Sequence, residues 1–182
     1  MTIVPVLAVD GQPSRELAAD LLKLEIDESL EELPTLRAHL LDRHDLDVGT
    51  AMHVSLGTIA HQRIVFDGQV TAIEFVFEEN EPPMVVVSAT GAAPAREPSG
   101  ASLVLVRGGE MTSAHVRVQK ARAFVSVMGT TTGSPDIVIG SIVRLEHIGA
   151  SFSGDGYSVT RIGHTFDLDQ GLRSMFEARR PI

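Results

Sequence analysis

The stretch 149-GASFSGDGYSVTRIGHTFDLDQGLRSMFE-177 predicts two β-strands, with glycine turns before and between them. In the first strand, Tyr157 and Val159 share one parity, whereas Ile162, His164 and Phe166 share the other. Side chains alternate between the two faces of a strand, so a change of parity within one strand predicts a β-bulge, here near residues 160–161. A bulge bends its strand, and bent strands allow a sheet to curl towards a barrel.

Shorter strand patterns fill most of the chain before this stretch. In residues 22–29, apolar and charged side chains alternate, which predicts a half-buried strand with one wet face. Residues 35–41 fit either a strand or a short helix. Residues 14–20 fit either a loop or one helical turn capped by Ser14. Further strands are predicted at 3–9, 51–56, 84–88, 103–106, 142–148 and 172–178.

A turn signal lies in the middle of the first half of the chain. The apolar runs 64–66 and 70–77 flank the dipeptide Asp67-Gly68. An Asp-Gly pair between two strand patterns is typical of a two-residue hairpin, because both residues tolerate positive φ. The sequence therefore predicts that the chain reverses at this dipeptide.

The segment 91-GAAPAREPSGAS-102 divides the chain into two halves. It consists mostly of small residues and contains two prolines and two glycines, a composition that favours a linker. On both sides of it, short strands are separated by turn residues. We therefore predict a mainly β fold with little helix, built from two small antiparallel β-barrels at residues 1–90 and 103–182.

Composition excludes several classes of function. The chain has 182 residues, enough for a hydrophobic core, and no cysteine, so disulfides and thiolate metal sites are excluded. The formal net charge is −9 and there are only two lysines, Lys23 and Lys120, which argues against tight nucleic-acid binding. We see no signal peptide at the N-terminus, and no apolar run approaches the ~20 residues of a spanning helix.

Three candidates resemble catalytic or metal-binding patterns, and all of them favour a structural interpretation. Ser151 and Ser153 lack the Gly-x-Ser-x-Gly spacing and the following helix of a nucleophile elbow, so a polar turn is the preferred interpretation. His164 alternates with apolar neighbours, and we interpret it as a hydrogen-bonded, half-buried histidine. The other candidate ligands match no metal-site spacing and favour a solvated turn: His39, Asp42, His44, Asp45 and Asp47.

Two loops contain residue types that also occur in active sites. Glu78, Glu79 and Glu81 cluster beside two prolines, which favours an exposed acidic tip over an acid–base pair. The glycines of 129-GTTTGSPDIVIG-140 are not followed by Gly-Lys-Ser/Thr, so this segment is no phosphate loop. We therefore expect no enzymatic activity, no catalytic residue, no cofactor and no metal ion.

The second half of the chain resembles the phage late-control protein D family. The segment 140-GSIVRLEHIG-149 is similar to the family's Gly-x-x-Val-x-Leu strand. The segment 152-FSGDGYSVTRIGHTFD-167 is similar to its Phe-Ser-Gly-x-Tyr-x-Val-Thr hairpin, and 171-GLRSMFEARR-180 to its closing strand, with Ser174 in place of a threonine. In the first half, 66-FDGQVTAIEFVF-77 and 84-MVVVSA-89 resemble two further strands, whereas the family's insertion between the barrels is replaced by residues 91–102.

This resemblance implies barrels of the tail-tube and hub type and a structural function. Members of the family are baseplate hub proteins of contractile tails, related to the hub part of valine-glycine-repeat spike proteins. The implied protein is a homo-oligomer, a trimer or alternatively a hexamer, that forms a ring joining the tail tube protein to the central spike protein among the other baseplate components. Assembly would take place in the cytoplasm, into a phage tail or injection-system particle. Its acidic lumen would let cargo pass without binding.

A ring requires edge contacts between subunits, and we expect the strands at 70–77 and 157–166 to provide them. The residues assigned to these interface strands are Val70, Ile73, Phe75, Tyr157, Val159 and Ile162. Two alternatives stay open. One is a hexameric tube-type adaptor or terminator of the same machinery, which the short linker favours. The other is a small β-barrel ligand-binding module, for which the sequence offers few aromatic residues.

Overall fold

The computed structural model of the protein describes residues 5–42, 45–58, 61–79, 82–92, 103–119 and 123–182. The described chain forms almost entirely β-structure with one short helix, α1. The strands and the helix are β1 Val6–Val9, β2 Gln12–Pro13, α1 Arg15–Asp20, β3 Leu21–Ser29, β4 Thr35–Leu40, β5 Ala51–Thr58, β6 His61–Val76, β7 Met84–Gly91, β8 Leu103–Val106, β9 Met111–Gln119, β10 Phe124–Thr131, β11 Ile142–Glu146, β12 Gly154–Asp167 and β13 Gly171–Pro181.

The chain divides into two compact units. Unit 1 takes the described residues of Met1–Asp27, Glu32–Pro94 and His164–Leu172. Unit 2 takes those of Glu28–Glu31, Ala95–Gly163 and Arg173–Ile182. Residues 164–172 thus belong to the first unit, although the sequence pattern placed them in the second half. Of the predicted linker 91–102, Gly91 ends β7 and residues 93–102 lie outside the described residues, so the linker stays a prediction.

Unit 1 is a sheet in the order β2-β1-β5-β6-β7-β4-β3. Alternating residues of these strands form one buried cluster, to which Phe166 and Leu172 also contribute. Helix α1 confirms the helical interpretation of residues 14–20, since the Leu17 amide donates to Ser14 Oγ at 3.2 Å. Residues 35–40 form a strand rather than a helix, because β4 pairs with both β3 and β7.

The predicted hairpin at Asp67-Gly68 is wrong, because β6 runs straight through this dipeptide. Gly68 does not have positive φ, which a type I′ turn requires. Instead, Gly68 pairs with Met52 of β5 on one side and with Gly91 of β7 on the other. A Cβ at Gly68 would overlap the Thr90 carbonyl oxygen and lie 2.7 Å from the Gly91 Cα. The glycine therefore serves a close approach of two backbones within a long strand.

Unit 2 contains the antiparallel order β12-β13-β10-β9, with β11 beside β12 and β8 parallel to β11. Its buried cluster takes Tyr157, Val159 and Ile162 from β12. Along β12 the buried positions change parity between Val159 and Ile162, as the sequence pattern predicted. Glycine shapes this core too: Gly129 of β10 lies opposite Phe176 of β13, whose ring occupies the space of the missing side chain.

The mainly antiparallel β fold with little helix is confirmed, but the sheet is not closed into barrels. Closure requires every strand to have a neighbour on both sides. Among the described strands of unit 2, β9 pairs only with β10, and the four-residue β8 pairs only with β11. The predicted barrels are therefore open sheets in each unit.

Candidate assembly surface

Strand β6 has a free backbone edge in its second half. It pairs with β5 over residues 61–69 and with β7 over residues 68–76. Among the described strands, the segment from Ala72 to Val76 has no neighbour on the side away from β7. Ile73 is packed against the core of unit 1, whereas Phe75 and Phe77 are 54% and 74% exposed. A free edge beside exposed apolar side chains is suited to pairing with another strand.

Strand β9 has a free edge in unit 2, as does the shorter β8. Met111 pairs with β10 and also forms an isolated bridge to Arg107, whereas residues 113–119 pair with β10 alone among the described strands. Ala114 and Val116 pack against the core of unit 2, and Val118 on the same face is 46% exposed. His115 and Arg117 point to the opposite face and are exposed. The interface strands predicted from the sequence did not include β9, although exposed charged residues such as Arg117 are common on edge strands.

The basic face of β9 continues across β10 and β13. Ser126 lies opposite Arg117 on one side and Arg179 on the other. These side chains line a depression of about 270 Å³ together with Phe124 and Glu177. Arg179 lies 5.1 Å above the Phe124 ring and pairs with the Glu177 carboxylate at 3.0 Å. Arg117 forms no ion pair within the described part of the chain, so its charge is available to an acidic partner.

The predicted interface residues differ in what they can contact. Val70, Tyr157, Val159 and Ile162 are buried in the cores. Strand β12 is flanked by β13 on one side and by β11 and β3 on the other, so its backbone offers no free edge. Ile73 and Phe75 lie on the free half of β6. Whether any of these strands contacts another subunit stays a prediction, but among the predicted residues Ile73 and Phe75 lie where a strand could be added.

The glycines before Tyr157 serve the packing of Arg180. The Arg180 guanidinium lies 4.5 Å from the centre of the Tyr157 ring and donates to the Ser151 carbonyl oxygen at 3.4 Å. A Cβ at Gly154 would lie 3.4 Å from Arg180 Nη1, and both Gly154 and Gly156 have positive φ. The Tyr157 hydroxyl donates to the Phe152 carbonyl oxygen at 2.7 Å. The glycines of the Phe-Ser-Gly-x-Gly-Tyr segment therefore leave space for Arg180 to pack against the Tyr157 ring.

The residues that resembled catalytic groups lie in a turn or in the core. Ser151 lies in an exposed turn, and Ser153 Oγ accepts a hydrogen bond from the Ile148 amide at 3.3 Å. His164 is 4% exposed, more deeply buried than the predicted half-buried histidine, and burial lowers its pKa to about 4. A histidine that is neutral at pH 7 and shielded from solvent is poorly placed to exchange protons with a substrate.

The His/Asp-rich segment is divided between a strand and a loop. His39 lies on the outer face of β4, with its Nε2 3.9 Å from the Glu25 carboxylate. Burial, and then the charges of Arg37 and Lys23, lower the pKa of His39. Asp45 and Asp47 lie in the loop after β4, and His44 lies outside the described residues. Within the described ranges, no group of three His, Asp or Glu side chains is placed to hold a metal ion.

A second depression, of about 550 Å³, lies in unit 2 beside the turn after β11. Arg144 in its wall pairs with Glu146 at 2.9 Å and with Asp155 at 3.5 Å. The described residues that line it include no aromatic side chain. It thus lacks the aromatic lining that a ligand-binding module would need.

Three solved structures share this fold. A tail protein from Neisseria meningitidis MC58 has a TM-score of 0.72 at 7% identity, covering 99% of this chain and 97% of that one. The 43 kDa tail protein of prophage MuSo2 from Shewanella oneidensis has a TM-score of 0.68 at 11% identity, covering 100% and 98%. The E. coli c3393 protein has a TM-score of 0.67 at 11% identity, covering 97% and 76%. It is described as a component of the type VI secretion system with structural similarity to the T4 bacteriophage tail proteins gp27 and gp5.

These similarities show that the chain has the fold of phage tail proteins. No family model and no curated protein matches the sequence. No helix in the described part of the chain is long and apolar enough to cross a membrane.

Proposed function

We propose that this chain is a structural baseplate hub or adaptor protein of a contractile tail or injection system. It forms a ring that joins the tail tube to the central spike, and it carries out no catalysis. The particle is assembled in the cytoplasm from this ring, the tube protein, the spike protein and further baseplate components.

The observation that carries the proposal is the fold shared along the whole chain with tail proteins and a secretion-system component. The order of the motifs in residues 140–180, which resembles the late-control protein D family, supports the same function. Physical properties agree with it. Both units have free strand edges for subunit contacts, and a net charge of −9 disfavours adhesion of nucleic acid to the ring.

The test is the oligomeric state and what the oligomer binds. The purified protein is analysed by native mass spectrometry and negative-stain microscopy, with and without the tube protein encoded by the same particle. We expect a ring with a mass three times that of the 19.5 kDa chain, and its attachment to the end of tubes. A protein that stays monomeric at high concentration and does not bind tubes would contradict the proposal.

The alternative within the same machinery is a hexameric adaptor or terminator. The short segment between the halves, residues 91–102, favours it because it replaces the family's insertion. A sixfold ring with six times the mass of the chain would select this alternative over the trimeric hub.

A further inference from the structure

Two free strand edges on the same chain have matching side-chain patterns. One is Ala72–Val76 of β6 in unit 1, and the other is β9 in unit 2. In the β6 segment, Ile73 and Phe75 share one face and Glu74 lies on the other. In β9, Val116 and Val118 share one face and Arg117 lies on the other. Strands that pair align their faces, so both the apolar and the charged sides of these two edges can match.

The two free halves of β6 carry opposite charges. Residues 61–66 of β6 also lack a partner on one side among the described strands, since β7 begins to pair at Gly68. That half carries Arg63, which has the same charge as Arg117. The second half carries Glu74, whose side chain is 57% exposed and lies 4.0 Å from Arg37 of the same chain, and it is followed by the exposed Glu78 and Glu79. Opposite charges across paired strands stabilise the pair and like charges destabilise it, so the second half is the better partner for β9.

The apolar residues give a second reason for choosing these edges. Phe75 and Phe77 are 54% and 74% exposed, and Val118 is 46% exposed beside the core of unit 2. Joining the two strands would place these side chains on one continuous face. Burial of apolar surface is the main driving force for association, so this face would supply affinity and the charged face would supply selectivity.

We infer that the Ala72–Val76 edge of one copy pairs with the β9 edge of the next copy, with Glu74 close to Arg117 and Phe75 on the apolar face of β9. The inference rests on the proposed function, because it names the contact through which the ring forms. The partner is a second copy because both complementary edges are present on the same chain. Different surfaces meet in this contact, which makes it heterologous, the type that forms rings.

Reversal of the two charges tests the contact. Arg117→Glu and Glu74→Lys should each reduce the ring fraction at least tenfold at a concentration where the wild type is half assembled. The double variant Arg117→Glu/Glu74→Lys should recover assembly to within threefold of the wild type. Arg63→Glu, the same change on the other half of β6, is the matched control and should leave assembly unchanged. Circular dichroism checks that each variant is folded.

Cysteine cross-linking gives a measurement that does not depend on charge. The natural chain has no cysteine, so single cysteines give an unambiguous product. Glu74→Cys protein is mixed under mild oxidation with Arg117→Cys protein. A second mixture uses His115→Cys protein, because His115 is the neighbouring position on the same face of β9. Paired strands bring cross-strand Cα atoms to about 5 Å, which a disulfide can bridge. The mixed dimer should therefore exceed both homodimers.

The outcomes separate the inference from the proposed function. If the wild type forms rings while Arg117→Glu assembles equally well and no mixed disulfide forms, the inferred contact is overturned and the ring function stands. If the wild type never assembles, the proposed function fails and the contact fails with it. Loss of assembly that the double variant restores, together with the mixed disulfide, supports both.

Discussion

Replacing Gly129 by alanine should destabilise unit 2, because the added methyl group has no space. A Cβ at this position would lie 2.5 Å from Phe176 Cζ, 2.6 Å from Phe176 Cε1 and 2.9 Å from Met111 Sδ. Phe176 and Met111 are both buried, so neither side chain can swing into solvent. The φ of Gly129 lies outside the left-handed region, which makes the effect steric rather than conformational.

The magnitude follows from two opposing effects. Overpacking of a core by one carbon typically costs about 1–3 kcal/mol. Alanine recovers about 0.5–1 kcal/mol, because glycine loses more backbone freedom on folding. We expect a net loss of about 1–2 kcal/mol, or a fall in Tm of roughly 2–8 °C for a chain of this size.

Urea unfolding followed by tyrosine fluorescence measures this change. Tyr157 is the only tyrosine, the chain has no tryptophan, and Tyr157 belongs to the same core as Gly129. Gly109→Ala is the matched control, since the nearest atom to its Cβ would be 3.5 Å away. Phe176→Leu removes the clashing ring atoms, so the double variant should be less destabilised than the sum of the single variants. Additive effects, or a Gly129→Ala no less stable than Gly109→Ala, would refute the steric argument.

Three further perturbations test other parts of the fold. Gly68→Ala should cost about 3 kcal/mol in chemical unfolding, because the new Cβ meets the backbone of Gly91, which cannot move as a side chain can. His164 has a pKa of about 4 when folded and an ordinary value of 6.5, so the unfolded state binds its proton first as pH falls. Stability should therefore decline between pH 6.5 and pH 4, by about 2 kcal/mol at pH 5, and His164→Gln should flatten this part of a stability-against-pH curve. Arg180→Ala should lose about 1 kcal/mol in fluorescence-monitored unfolding, with partial recovery in Arg180→Lys, because the cation above the Tyr157 ring is removed.

Alternation of side chains identified most strands correctly. Residues 22–29 and 142–146 both form strands; burial alternates through 142–146 and at Leu24 and Ile26, whereas Leu21 rather than Leu22 is buried beside a register shift. The change of parity in β12 was also predicted, because burial on one face is a local property of a strand. In these segments the order of residues was enough to predict the strand, because each strand presents one face to a core.

Asp67-Gly68 shows where local patterns fail. The dipeptide is a good hairpin signal, yet it lies in the middle of a 16-residue strand. The reason is the backbone of Gly91, which approaches Gly68 from β7, more than twenty residues later in the chain. Glycine permits both a turn and a close contact, and only the neighbouring strand decides between them.

The candidate assembly surface was predicted only in part. Ile73 and Phe75 lie on a free edge, as an interface strand requires, whereas Tyr157, Val159 and Ile162 lie in a strand with neighbours on both sides. The interface residues predicted from the sequence did not include β9 or its Arg117. Whether a strand is an edge depends on which other strands pair with it, and side-chain alternation is the same in both cases.

The sequence by itself determined the β class, the absence of cysteine and the acidic balance, and it predicted a fold of the phage-tail type. These properties depend on residue type and on short-range order, which a sequence contains directly. The tertiary structure decided that the sheets stay open, that residues 164–172 join the first unit and that β6 and β9 have free edges. Those properties depend on pairing between segments far apart in the chain. Backbone hydrogen bonds are the same for every residue type, so long-range packing decides which strands pair.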